Sequence, residues 1–532
     1  MTHRHRTPDR AVPEHLPAGA GPPPWLPAEK DHLAAGPRQR GLGPPLAGVL
    51  LCLLAGVGLA FTFPPSPLGW LAPVPLAWLF RAASTRPPGQ AFTLTFAFAA
   101  GFFGALLLWL PGSLTPLFGP GVGALYPALV GGLALLWAGT VALTRQVLGP
   151  ATLWALPFAW VLLDTARGLG PFGFTWGSLG YAFASTPLVQ LADLGGLSLV
   201  GLLVTLTAAA LADRRPRVLL GVAALLLLGA LYGLTRPPDA PGTQWALLVQ
   251  GNVDPRAKVQ GRTADELGRY LDLTRAGLAA DPAQLVVWPE TAAPAAPTSP
   301  ELARALTALN VPLLLGAPTE QGGYRNSVYA FAGGEVRGRQ DKVRLVPFGE
   351  YFPGRSQLDG AYRTVFRALG LPALTGTVPG RRLSPLPVGN VLVGALICYE
   401  STFPAFARAQ VRRGARVLAV VSNDAWFGPS VGAEQHFQMG RVRAIETRRW
   451  VLRAGNDGVT AAVAPSGRVT ARLPRAVAGA LPVSFAQAGA ITPYVRWGEW
   501  VTALSALVLL GLWLSVREGC FQVSKTREQG PG

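Results

Sequence analysis

Three polar side chains stand just beyond apolar or hairpin segments: Cys398 after VLVGALI, Glu290 after QLVVWP, and Lys342 just past NSVYAFAGGEVRGR. A free thiol is usually a small buried hydrophobe. It becomes a nucleophile when a base takes its proton and a neighbouring charge steadies the product. Glu290 is of the type to serve as that base. An ammonium beside a reacting carbonyl stabilises the oxyanion of a tetrahedral intermediate, and Lys342 offers one. Only four of the 46 basic residues are lysines: Lys30, Lys258, Lys342 and Lys525. The rest are arginines, so a retained lysine marks a place for a compact ammonium. Glu350 follows in the same segment as Lys342, and Glu400 lies two residues past Cys398. Either carboxylate positions Lys342 or the base, or binds nearby backbone.

The elements that would carry these groups are readable. WALLVQ, QLVVWPE, VPLLLGA, NVLVGALIC and RVLAVVS are short apolar runs that fit buried strands. NSVYAFAGGEVRGR is a hairpin with Gly-Gly at its turn, and GVTAAVAPSGRVTARL is a second. ADELGRYLDLTRAGLA and PELARALTALN have helical spacing. This α/β texture runs from about residue 243 to 485.

The rest of the chain is different. Half of its 532 residues are hydrophobic and 14% are charged, against roughly 25% in soluble proteins. Apolar runs at about 45–63, 67–82, 90–110, 121–143, 150–167, 195–213 and 217–235, with a last at about 500–516, read as membrane spans. Arg81 and Arg86, then Arg145, then Arg214, Arg215 and Arg217 fall in alternate loops, while FPPSPLGW and PGSLTPLFGPG carry no charge. The net charge of +18 is therefore a positive-inside pattern and not a nucleic-acid footprint. It puts the N-terminus in the cytoplasm and the α/β domain outside.

The expected divisions are a disordered basic tail at 1–41, a transmembrane domain at 42–236, an extracytoplasmic domain at 237–490, a final span at 497–517 and a cytoplasmic tail at 518–532. No cleavable signal peptide pattern precedes the first span. Three cysteines give no disulfide framework and no Cys/His cluster has zinc spacing, so no metal is expected. GPFGFTWGSLGYAF (170–183) has the composition of an interfacial loop. The stretch 354–380 is expected to be a lid that dips into lipid. Asp164 and Arg167 are expected to pair or to meet headgroups.

The order Glu290, Lys342, Cys398 resembles the Glu-Lys-Cys triad of the nitrilase (carbon–nitrogen hydrolase) superfamily. With VQGN (249–252), WPETA (288–292), KVRLVPFGEYFP (342–353), ICYE (397–400), SNDAWFG (422–428), QHFQMGRVRAIE (435–446) and GNDGVTA (455–461), the chain resembles the apolipoprotein N-acyltransferase family from about residue 42 to 516. That resemblance implies an α-helical polytopic membrane domain of about eight spans and an extracytoplasmic αββα nitrilase-like sandwich. It implies Glu290 as general base, Lys342 as oxyanion partner and Cys398 as nucleophile. Asn326, Glu350, Tyr399 and Glu400 match supporting residues. It further implies a phospholipid acyl donor, a diacylglyceryl-modified lipoprotein acceptor, a monomer in a bacterial inner membrane, and no cofactor. Where the family often has Lys-Trp after its QGN stretch, this chain has Val259 after Lys258. A membrane-tethered amidase using water, or a non-catalytic envelope scaffold, are the competing readings.

Overall fold

The computed structural model describes residues 45–254, 264–320, 322–370 and 376–528. The basic tail, Val259 and part of the expected lid (371–375) lie outside the described residues. The helical half comprises α1 (Leu46–Ala60), α2 (Pro73–Ser84), α3 (Pro88–Leu106), α4 (Trp109–Phe118), α5 (Leu125–Leu148), α6 (Thr152–Arg167), α7 (Ala192–Asp213) and α8 (Pro216–Leu234). A last helix, Trp500–Glu528, follows the α/β half.

Each apolar run expected to span a membrane contains a helix. Among the described residues, five helical stretches are long and apolar enough to cross a membrane, and α1 is a shorter apolar helix. Two details differ from the sequence reading. Most of PGSLTPLFGPG belongs to α4 and not to a loop; Pro111 falls in the first turn, where its missing N–H is harmless. The last helix also runs well past residue 517. The helices pack closely where they carry glycine: a Cβ on Gly56 would meet the Phe98 carbonyl of α3, and one on Gly101 would meet Leu53 of α1. By contrast, α8 buries only Gly229 of its 19 residues, leaving an apolar surface suited to lipid.

Among the described residues the α/β half has twelve strands: β1 (Gln244–Gln250), β2 (Leu285–Val287), β3 (Leu313–Thr319), β4 (Arg325–Ala332), β5 (Glu335–Asp341), β6 (Leu386–Val388), β7 (Val391–Ile397), β8 (Val417–Ser422), β9 (Val451–Gly455), β10 (Ala461–Val463), β11 (Val469–Arg472) and β12 (Gly479–Phe485). They form two six-stranded sheets, ordered β12-β1-β2-β3-β4-β5 and β11-β10-β9-β8-β7-β6. The centres β1-β2-β3 and β7-β8-β9 are parallel. Both hairpins fall where the sequence placed them, the first turning on Gly333 and Gly334, which take positive φ.

Ala246, Leu248, Val287, Val393, Ala395, Ile397 and Val421 meet between the sheets. Intervening residues such as Leu247, Val286 and Leu315 turn outward against the helices Ala264–Ala280 and Pro300–Thr307. Helices Pro404–Arg412 and Gly432–Thr447 cover the other sheet. The result is an αββα sandwich. Burial on both faces explains why these strands are continuously apolar. The core of the helical half runs on into the sandwich through Tyr399, Phe403, Met439, Val442 and Ile445.

Candidate active site

Glu290 and Cys398 both lie past the carboxyl ends of parallel strands, β2 and β7, where open α/β sheets hold their ligands. The backbone turns sharply at each: Thr291 has φ +50° and Cys398 φ +51°. Non-glycine residues rarely adopt that region and are held there by their surroundings. Gly316 on β3 makes room for the first turn, since a Cβ there would lie 2.6 Å from Thr291 N and 2.7 Å from Glu290 Cα.

Lys342 follows β5 and is buried. Its Nζ lies 3.0 Å from Glu290 Oε1 and 2.7 Å from Glu350 Oε1. Burial works against the ammonium, but Glu290 and Glu350 outweigh it and hold Lys342 well above the usual lysine range. Glu290 is further fixed by Asn326 Nδ2 at 2.6 Å on Oε1 and by Asn423 N at 2.9 Å on Oε2. Glu350 Oε2 accepts from Val346 N at 2.8 Å. Burial pushes the Cys398 thiol far up; the negative charge of Glu290 adds to this, while Lys342 and a hydrogen bond with Ser422 oppose it. That direction favours the thiol over the thiolate, so a base beside the sulfur is needed.

Glu400 does not touch the base. It is fully buried, its Oε1 accepts from Val343 N at 2.6 Å and Arg344 N at 3.1 Å, and its Oε2 accepts from Ile397 N at 2.8 Å. One carboxylate thus ties the segment after Lys342 to the strand end before Cys398, fixing the spacing of ammonium and thiol. Burial raises its carboxyl to about 7 against the pull of those backbone donors. Tyr399 turns toward the helical half, donating from its OH to Gly173 O at 2.8 Å. The expected residues Glu290, Asn326, Lys342, Glu350 and Cys398 thus come together, with Tyr399 and Glu400 as ties around them.

The helical half closes over this site. Most of 173–184 is buried, so it is packed and not an exposed interfacial loop. Trp176 Nε1 and Trp109 Nε1 of α4 both donate to Gln435 Oε1 at 3.0 Å. Trp176 stacks near Tyr399, with centroids 6.3 Å apart. Arg344 lies over Phe403, 4.8 Å from the ring centre, and donates to Gly168 O at 3.2 Å. Asp164 and Arg167 form an ion pair of 2.9 Å. A cavity of about 130 Å³ lies at this junction, between α6, α7 and Phe403. The described part of 354–380 includes an amphipathic helix, Arg355–Ala368, in which no residue is buried.

Comparison with known proteins places both halves. Residues 248–487 match the carbon-nitrogen hydrolase family, and residues 55–210 match the apolipoprotein N-acyltransferase N-terminal domain. An apolipoprotein N-acyltransferase of Geobacter metallireducens is 33% identical over 514 residues, covering 88% of this chain and 95% of that protein. One from Azotobacter vinelandii is 34% identical, with the same coverage. The chain belongs to the apolipoprotein N-acyltransferase family. An amidase from Nesterenkonia sp. is also similar, at 19% identity and a TM-score of 0.33 over 48% of this chain and 93% of that one.

Four residues near the site were not singled out from the sequence of this family member: Asn423, Asp424, His436 and Arg453. Asn423, Asp424 and His436 stand inside SNDAWFG and QHFQMGRVRAIE. Their place in those two motifs was the signal for these three, and Arg453, inside β9, had only its charge in an otherwise apolar strand.

Proposed function

We propose that this protein transfers a fatty acyl chain from a membrane phospholipid to the α-amino group of a diacylglyceryl-modified N-terminal cysteine. The observation that carries the mechanism is the Glu290–Lys342–Glu350 cluster near the Cys398 thiol, roofed by the helical half. Cys398 Sγ attacks the ester carbonyl as Glu290 takes the thiol proton. Lys342 faces the developing oxyanion, a charge that a fixed ammonium in a dry site stabilises strongly. Glu290 returns the proton to the leaving lysophospholipid oxygen, and a thioester remains on Cys398. The acceptor amine then attacks the thioester, giving its proton to Glu290, and the amide leaves as the thiol re-forms. Two half-reactions through one covalent intermediate give ping-pong kinetics. Excluding water protects the thioester from hydrolysis, and Trp109, Trp176 and Tyr399 form an apolar wall suited to that.

In this reading the membrane domain covers 42–236, the catalytic domain 237–490 and the final span 497–517. The catalytic domain faces outward from a bacterial inner membrane and the chain acts as a monomer. Two cross-loop contacts support a single cytoplasmic end: Arg145 Nε donates to Arg86 O at 2.9 Å, and Arg81 Nη1 to Ala212 O at 3.0 Å. Thus the arginine-bearing loops gather on one side of the bundle.

The test is mass spectrometry of Cys398 after incubation with phospholipid alone. An acyl adduct that hydroxylamine removes, and that a diacylglyceryl peptide discharges as an amide, is the expected result. Release of ammonia from small amides with no such adduct would replace transfer with hydrolysis.

A further inference from the structure

His436 is buried on helix Gly432–Thr447, with its Nε2 3.0 Å from the carbonyl oxygen of Cys398. A carbonyl only accepts, so Nε2 carries a proton in this contact. Ser401 Oγ donates to the same carbonyl at 2.8 Å and lies 3.0 Å from His436 Nε2. On the other side of the ring, Nδ1 lies 2.9 Å from Asp424 Oδ1 and 3.1 Å from Arg453 Nη2. Asp424 is itself held: Oδ2 accepts from Arg453 at 2.6 Å, and Oδ1 accepts from Ser422 Oγ at 2.6 Å. Phe427 and Trp176 confine the ring, with centroids at 5.6 and 6.0 Å.

Such a chain of buried charges is expensive to desolvate, and its outer members only orient the ring. Its inner end, His436 Nε2, meets one backbone oxygen, that of the residue with φ +51°. Because the peptide is planar and rigid, fixing this oxygen fixes the whole Cys398–Tyr399 peptide and with it the base of the thiol.

We propose that His436 is a positioning residue for the nucleophile: its Nε2–H anchors the Cys398 carbonyl and holds the left-handed turn that presents the thiol to the acyl carbonyl. It has no hydrogen bond to Glu290 or Lys342. The proposal rests on Cys398 being the acylated residue.

The test uses the full chain in detergent and measures thioester formation on Cys398 by quenched mass spectrometry. Two donors are compared: a phospholipid, and p-nitrophenyl butyrate, which needs no lipid recognition. His436→Phe keeps an aromatic ring beside Trp176 but removes the donor; His436→Gln restores a donor. The expected result is acylation slowed by about 100-fold in His436→Phe at saturating donor, with KM within about threefold of the parent and the circular dichroism spectrum unchanged. His436→Gln should regain about tenfold of that loss. Acylation of His436→Phe within about threefold of the parent, a change confined to KM, or a Gln variant no faster than Phe would each overturn the proposal. If the parent reacts with the butyrate ester but not with phospholipid, the phospholipid reading falls, and the ester data still judge His436. Should His436→Phe not be recovered folded, Ser401→Ala removes the second donor on the same carbonyl. Slowing of about tenfold is then expected, and an unchanged rate overturns the proposal.

Discussion

Two of the buried charge clusters among the described residues are satisfied to different degrees. In the first, around Lys342, every oxygen of Glu290, Glu350 and Glu400 has a donor within 3.1 Å, and among the described residues only Asn326 Oδ1 there is left without a partner. The second joins the catalytic half to the helices. Arg443 Nη2 lies 3.1 Å from Glu446 Oε1, which also accepts from Leu197 N of α7 at 3.1 Å, while Tyr494 OH and Ser198 Oγ bind Glu499. There, Arg443 Nε and Nη1 and Glu446 Oε2 are without hydrogen-bond partners among the described residues. A saturated cluster has one arrangement and suits chemistry that tolerates little displacement. An unsaturated one leaves buried groups at a cost of about 1–3 kcal/mol each, which leaves the junction the softer of the two.

That contrast is broken most severely at the saturated end. Cys398→Ala should abolish the acyl adduct and reduce transfer by roughly 10⁴-fold or more, with the fold intact; the adduct assay and circular dichroism check both. Lys342→Met leaves Glu290 and Glu350 facing each other without the ammonium. Transfer should fall by about 10³-fold, and stability should fall by about 3–5 kcal/mol because a buried pair has lost one partner. Chemical denaturation alongside kinetics separates these losses. Glu400→Gln is smaller. A glutamine has one accepting oxygen, so in either orientation its NH2 meets a backbone N–H, from Ile397 or from Val343 and Arg344. A loss of about 10–100-fold in kcat with KM little changed is expected. An unchanged kcat would show that the spacing of Lys342 and Cys398 does not depend on this tie.

The saturated cluster was also the more legible in sequence. Glu290 and Cys398 stand at the ends of apolar runs that fit buried strands, Lys342 follows a hairpin, and their order matched the family's triad. Asn326 was found through resemblance and Glu350 through its place in the segment after Lys342; their contacts with Glu290 and Lys342 follow from the hairpin and the turn that carry them. Glu400 was left open between the lysine and the backbone; only coordinates could show it on three backbone amides. His436 and Asp424 were not legible as a pair. They come from a turn and a helix, and nothing in their spacing says that both reach beneath Cys398. The helical half shows the same limit. Hydropathy placed its helices, but α4 was missed because PGSLTPLFGPG carries the residues of a loop, and the burial of 173–184 depends on packing that no local pattern encodes.

The softer cluster yields the smallest effect and the one with a sign to work out. Burial raises the Glu446 carboxyl from 4.5 to about 7, with Glu499 adding to this and Arg443 opposing. Between those two values the folded chain holds a proton that the unfolded chain has released. Stability from this group is therefore complete below about pH 4.5 and lost as pH rises through about 7. Glu400 and Asp457, raised to about 7 and about 6, act in the same direction. Asp424, held low mainly by Arg453 and His436 against its burial, acts oppositely but only at the acid end. The unfolding temperature should thus decline between pH 5 and pH 8 in detergent. Glu446→Gln, which mimics the protonated acid, should match the parent near pH 5 and show a shallower decline above it. Parallel curves for parent and variant would mean that Glu446 stays ionised in the fold, and that the junction is bound by its charge pair as firmly as the active site is.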